Sequence, residues 1–191
     1  MSLCLNKRIS IFTLLLVCAS LLAVLPARAP AEAVHKVILG VTEQVGIAEL
    51  GVEMQGKLDT GAVSSSLSAW DIEHFTRDGD KWVRFHFGEP DNPAELELPV
   101  AQTVRIVRRA ADYDEEEEKG YTRRPVVMLT LCIGSRKAKT RVNLADRRNF
   151  STALLVGMES LVDLRAIIDP ALELSAGRPD CTADNDADAG N

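Results

Sequence analysis

Lys57-Leu58-Asp59-Thr60-Gly61-Ala62 ends a run, Gly51 to Leu58, in which Val52, Met54, Gly56 and Leu58 recur at every second position. A period of two marks a strand with one face toward a core. Asp-Thr-Gly-Ala then supplies residues that favour a turn, and the chain passes at once into Val63-Ser64-Ser65-Ser66. Working outward, the same pattern repeats. Lys36 to Thr42, Gly46 to Leu50, Trp82 to Phe87, Ala94 to Val100, Thr103 to Val107, Val126 to Ile133 and Lys139 to Leu144 all read as short strands. Turn signals separate them: Gly-Glu-Pro-Asp-Asn-Pro at 88–93 and Gly-Ser-Arg-Lys at 134–137. Helical spacing is scarce. Met158 to Arg165 places Leu161, Val162 and Leu164 on one side, and Ser68 to Phe75 reads as a short helix or an irregular turn. Many short strands with little helix predict a mostly β domain, a small closed barrel with one short C-terminal helix.

The chain has 191 residues, 46% hydrophobic and 26% charged, enough for one domain with a core and too apolar for a disordered chain. Lys7 and Arg8 precede an apolar run from Ile9 to Leu25, and Pro26 leads into Ala27-Arg28-Ala29. A basic start, apolar middle and Ala-x-Ala site describe a secretory signal over residues 1–29, the alternative being a retained membrane anchor. This organisation predicts a folded domain over 34–176, a flexible acidic tail over 177–191, a periplasmic or secreted location, and no stable membrane insertion once the signal is cleaved. Residues 1–29 hold three bases and no acid, so the remainder carries −9. Much of that is local: Asp112, Asp114 and Glu115 to Glu118, then Asp180, Asp184, Asp186 and Asp188. An acidic chain argues against nucleic acid as a partner. Beyond the signal, Cys132 and Cys181 are the two cysteines, and two readings stand: a disulfide in an oxidising compartment, or a buried Cys132 with a loose Cys181.

Asp-Thr-Gly-Ala at the end of a strand resembles the active-site loop of aspartic proteases. Ala153-Leu154-Leu155-Val156-Gly157, followed by an apolar short helix, resembles the second strand of the retropepsin-like branch, in the expected order. Arg124-Pro125-Val126-Val127, Leu144-Ala145-Asp146-Arg147-Arg148 and Ile168-Asp169-Pro170 extend the likeness to a bacterial group of retropepsin-like proteins, often labelled ATP-dependent zinc proteases. The resemblance spans about Lys36 to Leu174. It departs at Met158, where the group usually has Arg, and in the acidic run at 112–118. Neither zinc nor ATP finds support in the residues, which contain no His-Glu-x-x-His and no phosphate loop; His35, His74 and His86 lack ligand spacing. No metal and no cofactor are expected.

The resemblance implies that Asp59 is catalytic and that Thr60, Gly61 and Ala62 complete its loop. Aspartic proteases use two carboxylates sharing a proton. One Asp-Thr-Gly implies that a homodimer supplies the second, and that the partner in solution is a peptide or protein substrate. The function so implied is an exported aspartic endopeptidase. The alternative is a non-catalytic peptide-binding or regulatory module with the same fold. Some members of the group occur beside ATP-grasp glutamate ligases, which implies a role in peptide modification. A flap hairpin lies between the two motifs in retropepsins. Thr103 to Arg109 and Thr122 to Ile133 would be its strands here, with Ala110, Tyr113, Glu116 and Tyr121 as candidate substrate contacts at the tip. Such an acidic tip would favour basic peptides; the alternative is a solvated loop whose charge is offset by nearby arginines.

Overall fold

The computed structural model describes residues 35–107 and 121–183. The expectation of a mostly β fold with one short helix holds. The strands are β1 (Val37–Leu39), β2 (Thr42–Ile47), β3 (Val52–Asp59), β4 (Ser65–Ser68), β5 (Trp70–Arg77), β6 (Asp80–Glu89), β7 (Asn92–Pro99), β8 (Gln102–Val107), β9 (Tyr121–Ile133), β10 (Arg136–Ala145), β11 (Leu154–Gly157) and β12 (Ala166–Ile168). The helix α1 spans Met158–Asp163. The main sheet runs β10-β4-β11-β3-β2-β9-β8, and β9 also pairs with β10, so the pairing of six strands returns on itself. β5, β6 and β7 form a second, antiparallel sheet, and β1 and β12 a parallel pair.

One hydrophobic core joins these layers. Val45 and Ile47 of β2, Leu58 of β3, Leu67 of β4, Leu129, Leu131 and Ile133 of β9, Leu144 of β10 and Leu154 of β11 are buried together. The second sheet adds Val83, Phe85 and Phe87, the inward face of the alternation in β6. The outward face carries Arg77 4.4 Å from the Trp82 ring centroid and Arg84 donating from Nε and Nη2 to Glu97 Oε1.

Two local expectations are corrected. Ser68 to Phe75 is neither helix nor turn but the end of β4 and the start of β5. Asp71 takes φ of +50°, and the β5–β6 register shifts between Trp70 and Glu73, which breaks the alternation that would have marked a strand. The strand expected over 46–50 is β2, four residues earlier, and Ala48 to Gly51 form the turn. The reason is Glu43, fully buried within β2. Its Oε1 accepts from the backbone N–H of Gly40 (2.6 Å) and from the N–H (3.1 Å) and hydroxyl (2.7 Å) of Ser175, and its Oε2 from the N–H of Ala176 (3.0 Å). Ser65, Ser66 and Ser68 belong to a buried strand, β4, which lies between β10 and β11 in the main sheet.

The segment after β12 wraps back over the sheet. Asp169 N–H donates to Leu39, Leu174 N–H to Thr42, and Asp180 N–H to Gly134. Cys181 forms a disulfide with Cys132. Gly46 pairs with Cys132 in the sheet, and a Cβ there would stand 3.0 Å from the Cys181 sulfur. Over 177–183, the stretch expected to be a flexible tail has these ties; 184–191 lie outside the described residues.

Candidate functional site

Asp59 is the last residue of β3, and Gly157, the last of β11, sits beside it in a parallel register running from Gly56↔Leu154 to Asp59↔Gly157. The two motifs, far apart in sequence, therefore meet. Gly157 is needed for this approach. A Cβ on it would lie 2.5 Å from the Ser64 carbonyl carbon and 3.0 Å from the Ala62 oxygen. The chain leaving Gly157 locks the loop in place: Met158 N–H donates to the Ala62 carbonyl (2.8 Å), Glu159 N–H to Val63 (3.1 Å) and Gly157 N–H to the Ser65 hydroxyl (2.9 Å). A buried hydroxyl chain runs on from Ser65 to Ser160 (2.6 Å) and Thr140 (2.9 Å). The serines thus fasten the loop to β11 and α1.

The Asp59 carboxylate is about one-third exposed, with Oδ1 accepting from Gly61 N–H at 2.9 Å and Oδ2 3.8 Å from Lys57 Nζ. Ala62 N–H closes the turn onto the Asp59 carbonyl at 3.3 Å. Thr60 and Gly61 are exposed and Ala62 is half-buried. The four residues picked out by sequence thus form one turn with the carboxylate at its open side.

Sequence reasoning missed the arginines around this turn. Asn143, buried in β10, donates from Nδ2 to the Ser65 carbonyl (2.5 Å) and the Ser64 hydroxyl (3.3 Å), while its Oδ1 accepts from Arg124 Nη1 (3.2 Å). Arg147 is 8% exposed. Its backbone N–H donates to the Ser68 hydroxyl (3.2 Å), its Nε to the Thr152 carbonyl (3.4 Å), and its guanidinium lies 4.6 Å from the Phe150 ring centroid. Burial pushes its pKa down from the usual arginine value, the like charge of Arg124 adds to that, and Asp59 opposes it. A groove of about 290 Å³ opens beside the loop, lined by Val63, Ser64, Gln102, Arg105, Arg141 and Asn143 among others. In the sequence Arg124 and Arg147 stand in the Arg124-Pro125-Val126-Val127 and Leu144-Ala145-Asp146-Arg147-Arg148 segments, neither of which carries a role by itself.

β8 and β9 pair antiparallel from Gln102↔Val126 to Val107↔Tyr121, where the flap strands were expected. Of the candidate contacts, Tyr121 opens β9, with the Arg105 guanidinium 4.9 Å from its ring centroid. Ala110, Tyr113 and Glu116 lie outside the described residues. His86 stands between Asp71 (3.3 Å) and Glu95 (3.7 Å), which approach opposite ring nitrogens. Among the described residues no group of three His, Cys, Asp or Glu is arranged to hold a metal.

Comparison with known proteins adds the following. A family model described as RimB-like, "Retropepsin-like aspartic endopeptidase RimB", matches residues 38–179. A "Probable alpha-L-glutamate ligase" of Desulfotalea psychrophila is 29% identical over 149 residues, covering 75% of this chain and 30% of the ligase. A protein of the same name from Shewanella pealeana is 27% identical over 144 residues, with the same coverage. The chain thus spans under a third of the curated relatives it matches. The crystal structure of Lpg0085, a Legionella pneumophila protein of unknown function, superposes with a TM-score of 0.61 at 27% identity, covering 74% of this chain and 99% of that one. The expected function, an exported aspartic endopeptidase with a dyad of two Asp59, is corrected by these relatives: the curated proteins that share this region are named as ligases of glutamate, not as peptidases. The names on both sides describe enzymes.

Proposed function

The chain belongs to the RimB-like, retropepsin-like family, and from that premise we propose that it holds glutamate-bearing peptides, of the chemistry an alpha-L-glutamate ligase forms, in the groove beside the Asp59 turn. The region shared with the ligases is the retropepsin-like one, and the groove in that region is cationic. This observation carries the reading: Arg105 and Arg141 stand in its walls, and the carboxylate among its lining residues, Glu159, is already paired with Arg141 at 3.2 Å. Arginine matches carboxylates with two parallel donors, so an acidic peptide fits these walls better than a neutral or basic one. The groove's charge favours the opposite selection to that expected of an acidic flap tip. β8 lies at the end of the sheet order and lines the groove through Gln102, Val104, Arg105 and Ile106, so its backbone groups are placed to pair with an extended peptide.

The Cys132–Cys181 bond supports an oxidising compartment, periplasmic or secreted, for the chain. The test is a titration of the full chain with α-linked tri-glutamate. Arg105→Gln is expected to weaken binding about tenfold, the loss of one charge-assisted contact; unchanged affinity would refute the groove as the site. Incubating the bound peptide reads a further property. Cleavage that Asp59→Asn abolishes would add aspartic-type peptidase chemistry to binding, and an intact peptide would restrict the domain to binding.

A further inference from the structure

Resting on the glutamyl-peptide reading, we propose that the hollow between β10 and α1 is an apolar subsite next to the groove, taking one large apolar side chain, of the leucine or methionine kind, from the same bound peptide. The reasoning begins with the helix. α1 buries Leu161 in the core, and Leu164 just beyond it joins them. Met158 and Val162, four residues apart and so neighbours on one side of the helix, are instead exposed. Met128 is exposed on β9, directly opposite Arg141 of β10. These three line one hollow of about 430 Å³. Among the described residues they neither belong to the hydrophobic core nor pack against it. Single exposed apolar side chains are ordinary, but three that converge on one concavity mark a binding surface.

Two observations choose the occupant. Arg141 and Glu159 line both this hollow and the groove beside the Asp59 turn, so their ion pair is a wall common to the two. A peptide with a glutamate carboxylate at Arg141 therefore has the hollow on the other side of the same side chain. The second observation is size. A stable protein interface takes about 800 Å² from each partner, more than three part-exposed side chains present, whereas this volume suits a single peptide side chain. The hollow is also built in advance. Thr140, a buried lining residue, is hydrogen-bonded to Ser160 of α1 at 2.9 Å, which together with the Arg141–Glu159 pair fixes strand to helix. Lys139 and Asp163, both exposed, add to a polar rim. Methionine adapts to the shape it meets, so two of them here select apolar bulk rather than one particular residue.

The probes are α-linked tri-glutamate extended by leucine at one end or the other, with glutamine in the same place as the polar control, titrated into the full chain. The expected result is that at one of the two ends leucine binds about tenfold tighter than glutamine. With the methionine methyls labelled with ¹³C, the leucine peptide should shift Met128 and Met158 saturably and further than the glutamine peptide does. Val162→Thr combined with Met128→Gln, both at exposed positions, should bring the leucine-to-glutamine affinity ratio to about one. A ratio is the readout because a general loss of stability or of glutamate binding would not change it. Equal affinity for leucine and glutamine at both ends, with tri-glutamate still bound, would overturn the subsite and leave the groove reading standing. A leucine preference that survives the double substitution would do the same. Self-association that the double substitution abolishes, without a leucine preference, would give the face to a second copy and also overturn the proposal. If no glutamyl peptide binds but N-acetyl-leucinamide shifts both methyls saturably, the apolar site stands and the glutamyl-peptide reading falls. If neither probe acts, both fall. Should the double variant fail to fold, the methyl resonances of the unsubstituted chain still decide.

Discussion

Glu43→Gln should destabilise the domain, and the size of the effect follows from four hydrogen bonds. The Glu43 carboxylate is fully buried, and its bonds come from Gly40, Ala176 and, twice, Ser175, with no basic side chain among them. The amide oxygen of glutamine can take the place of Oε1 and keep three donors, but as neutral bonds of roughly half the charge-assisted strength. Its NH₂ then faces the Ala176 N–H, donor against donor, and a buried N–H left unsatisfied costs about 1–3 kcal/mol. Relief from desolvating a charge offsets part of this, leaving a net loss of about 2 kcal/mol out of a typical total of about 5–15. The pH dependence supplies a second handle. Burial is the largest influence on this carboxyl and pushes its pKa up, yet the bonds from Ala176, Ser175 and Gly40 together outweigh it and hold the group below the usual glutamate value. The folded pKa is lowered, so the stabilisation is complete above the unfolded value, about 4.3, and is lost as pH falls through the folded one. Urea unfolding of both proteins at neutral pH and near pH 3 is the assay. A gap at neutral pH that narrows in acid is expected. A change below about 0.5 kcal/mol at neutral pH, or a gap that ignores pH, would refute the reasoning.

Three further outcomes follow from the same geometry. Replacing both Cys132 and Cys181 by Ser should lower stability by about 2–4 kcal/mol, the usual range for opening a loop as long as this sequence separation of 49; denaturant midpoints of the oxidised, reduced and substituted chains should rank accordingly. Gly157→Ala places a methyl 2.5 Å from the Ser64 carbonyl carbon, so a loss of about 1–3 kcal/mol is expected, together with weaker tri-glutamate binding because the Asp59 loop must shift. Arg141→Gln should weaken binding less than Arg105→Gln does, since Arg141 is already engaged by Glu159; calorimetry on the two variants checks the ranking.

The parts legible in sequence were those written in short-range pattern. Alternation in β3 and β6, the turn residues at 134 and the Leu-Val-Gly strand with its apolar helix all announce themselves within a few positions. The Asp59 turn was legible because turn chemistry directly follows an alternating strand. What could not be read depends on groups distant in sequence. Glu43 resembles a surface residue until Ser175 and Ala176 arrive from the other end of the chain. Arg147 is an ordinary charge until the fold buries it within the field of Asp59 and Arg124. The disulfide stayed open because sequence fixes no distance between Cys132 and Cys181, and the strained Asp71 hid the start of β5. Fold class came from periodicity, whereas the electrostatics that argue for a substrate came only with tertiary contact.

The central claim is that the turn of Asp59 and the arginines around it form a site for glutamate-bearing peptide. Its most direct measurement is a paired calorimetric titration of the full chain with α-linked tri-glutamate and with tri-glutamine, at low and high salt. The account predicts binding of tri-glutamate alone, weakening as salt screens the arginines. Equal affinity for the two peptides, or binding of tri-glutamate that does not respond to salt, would contradict it.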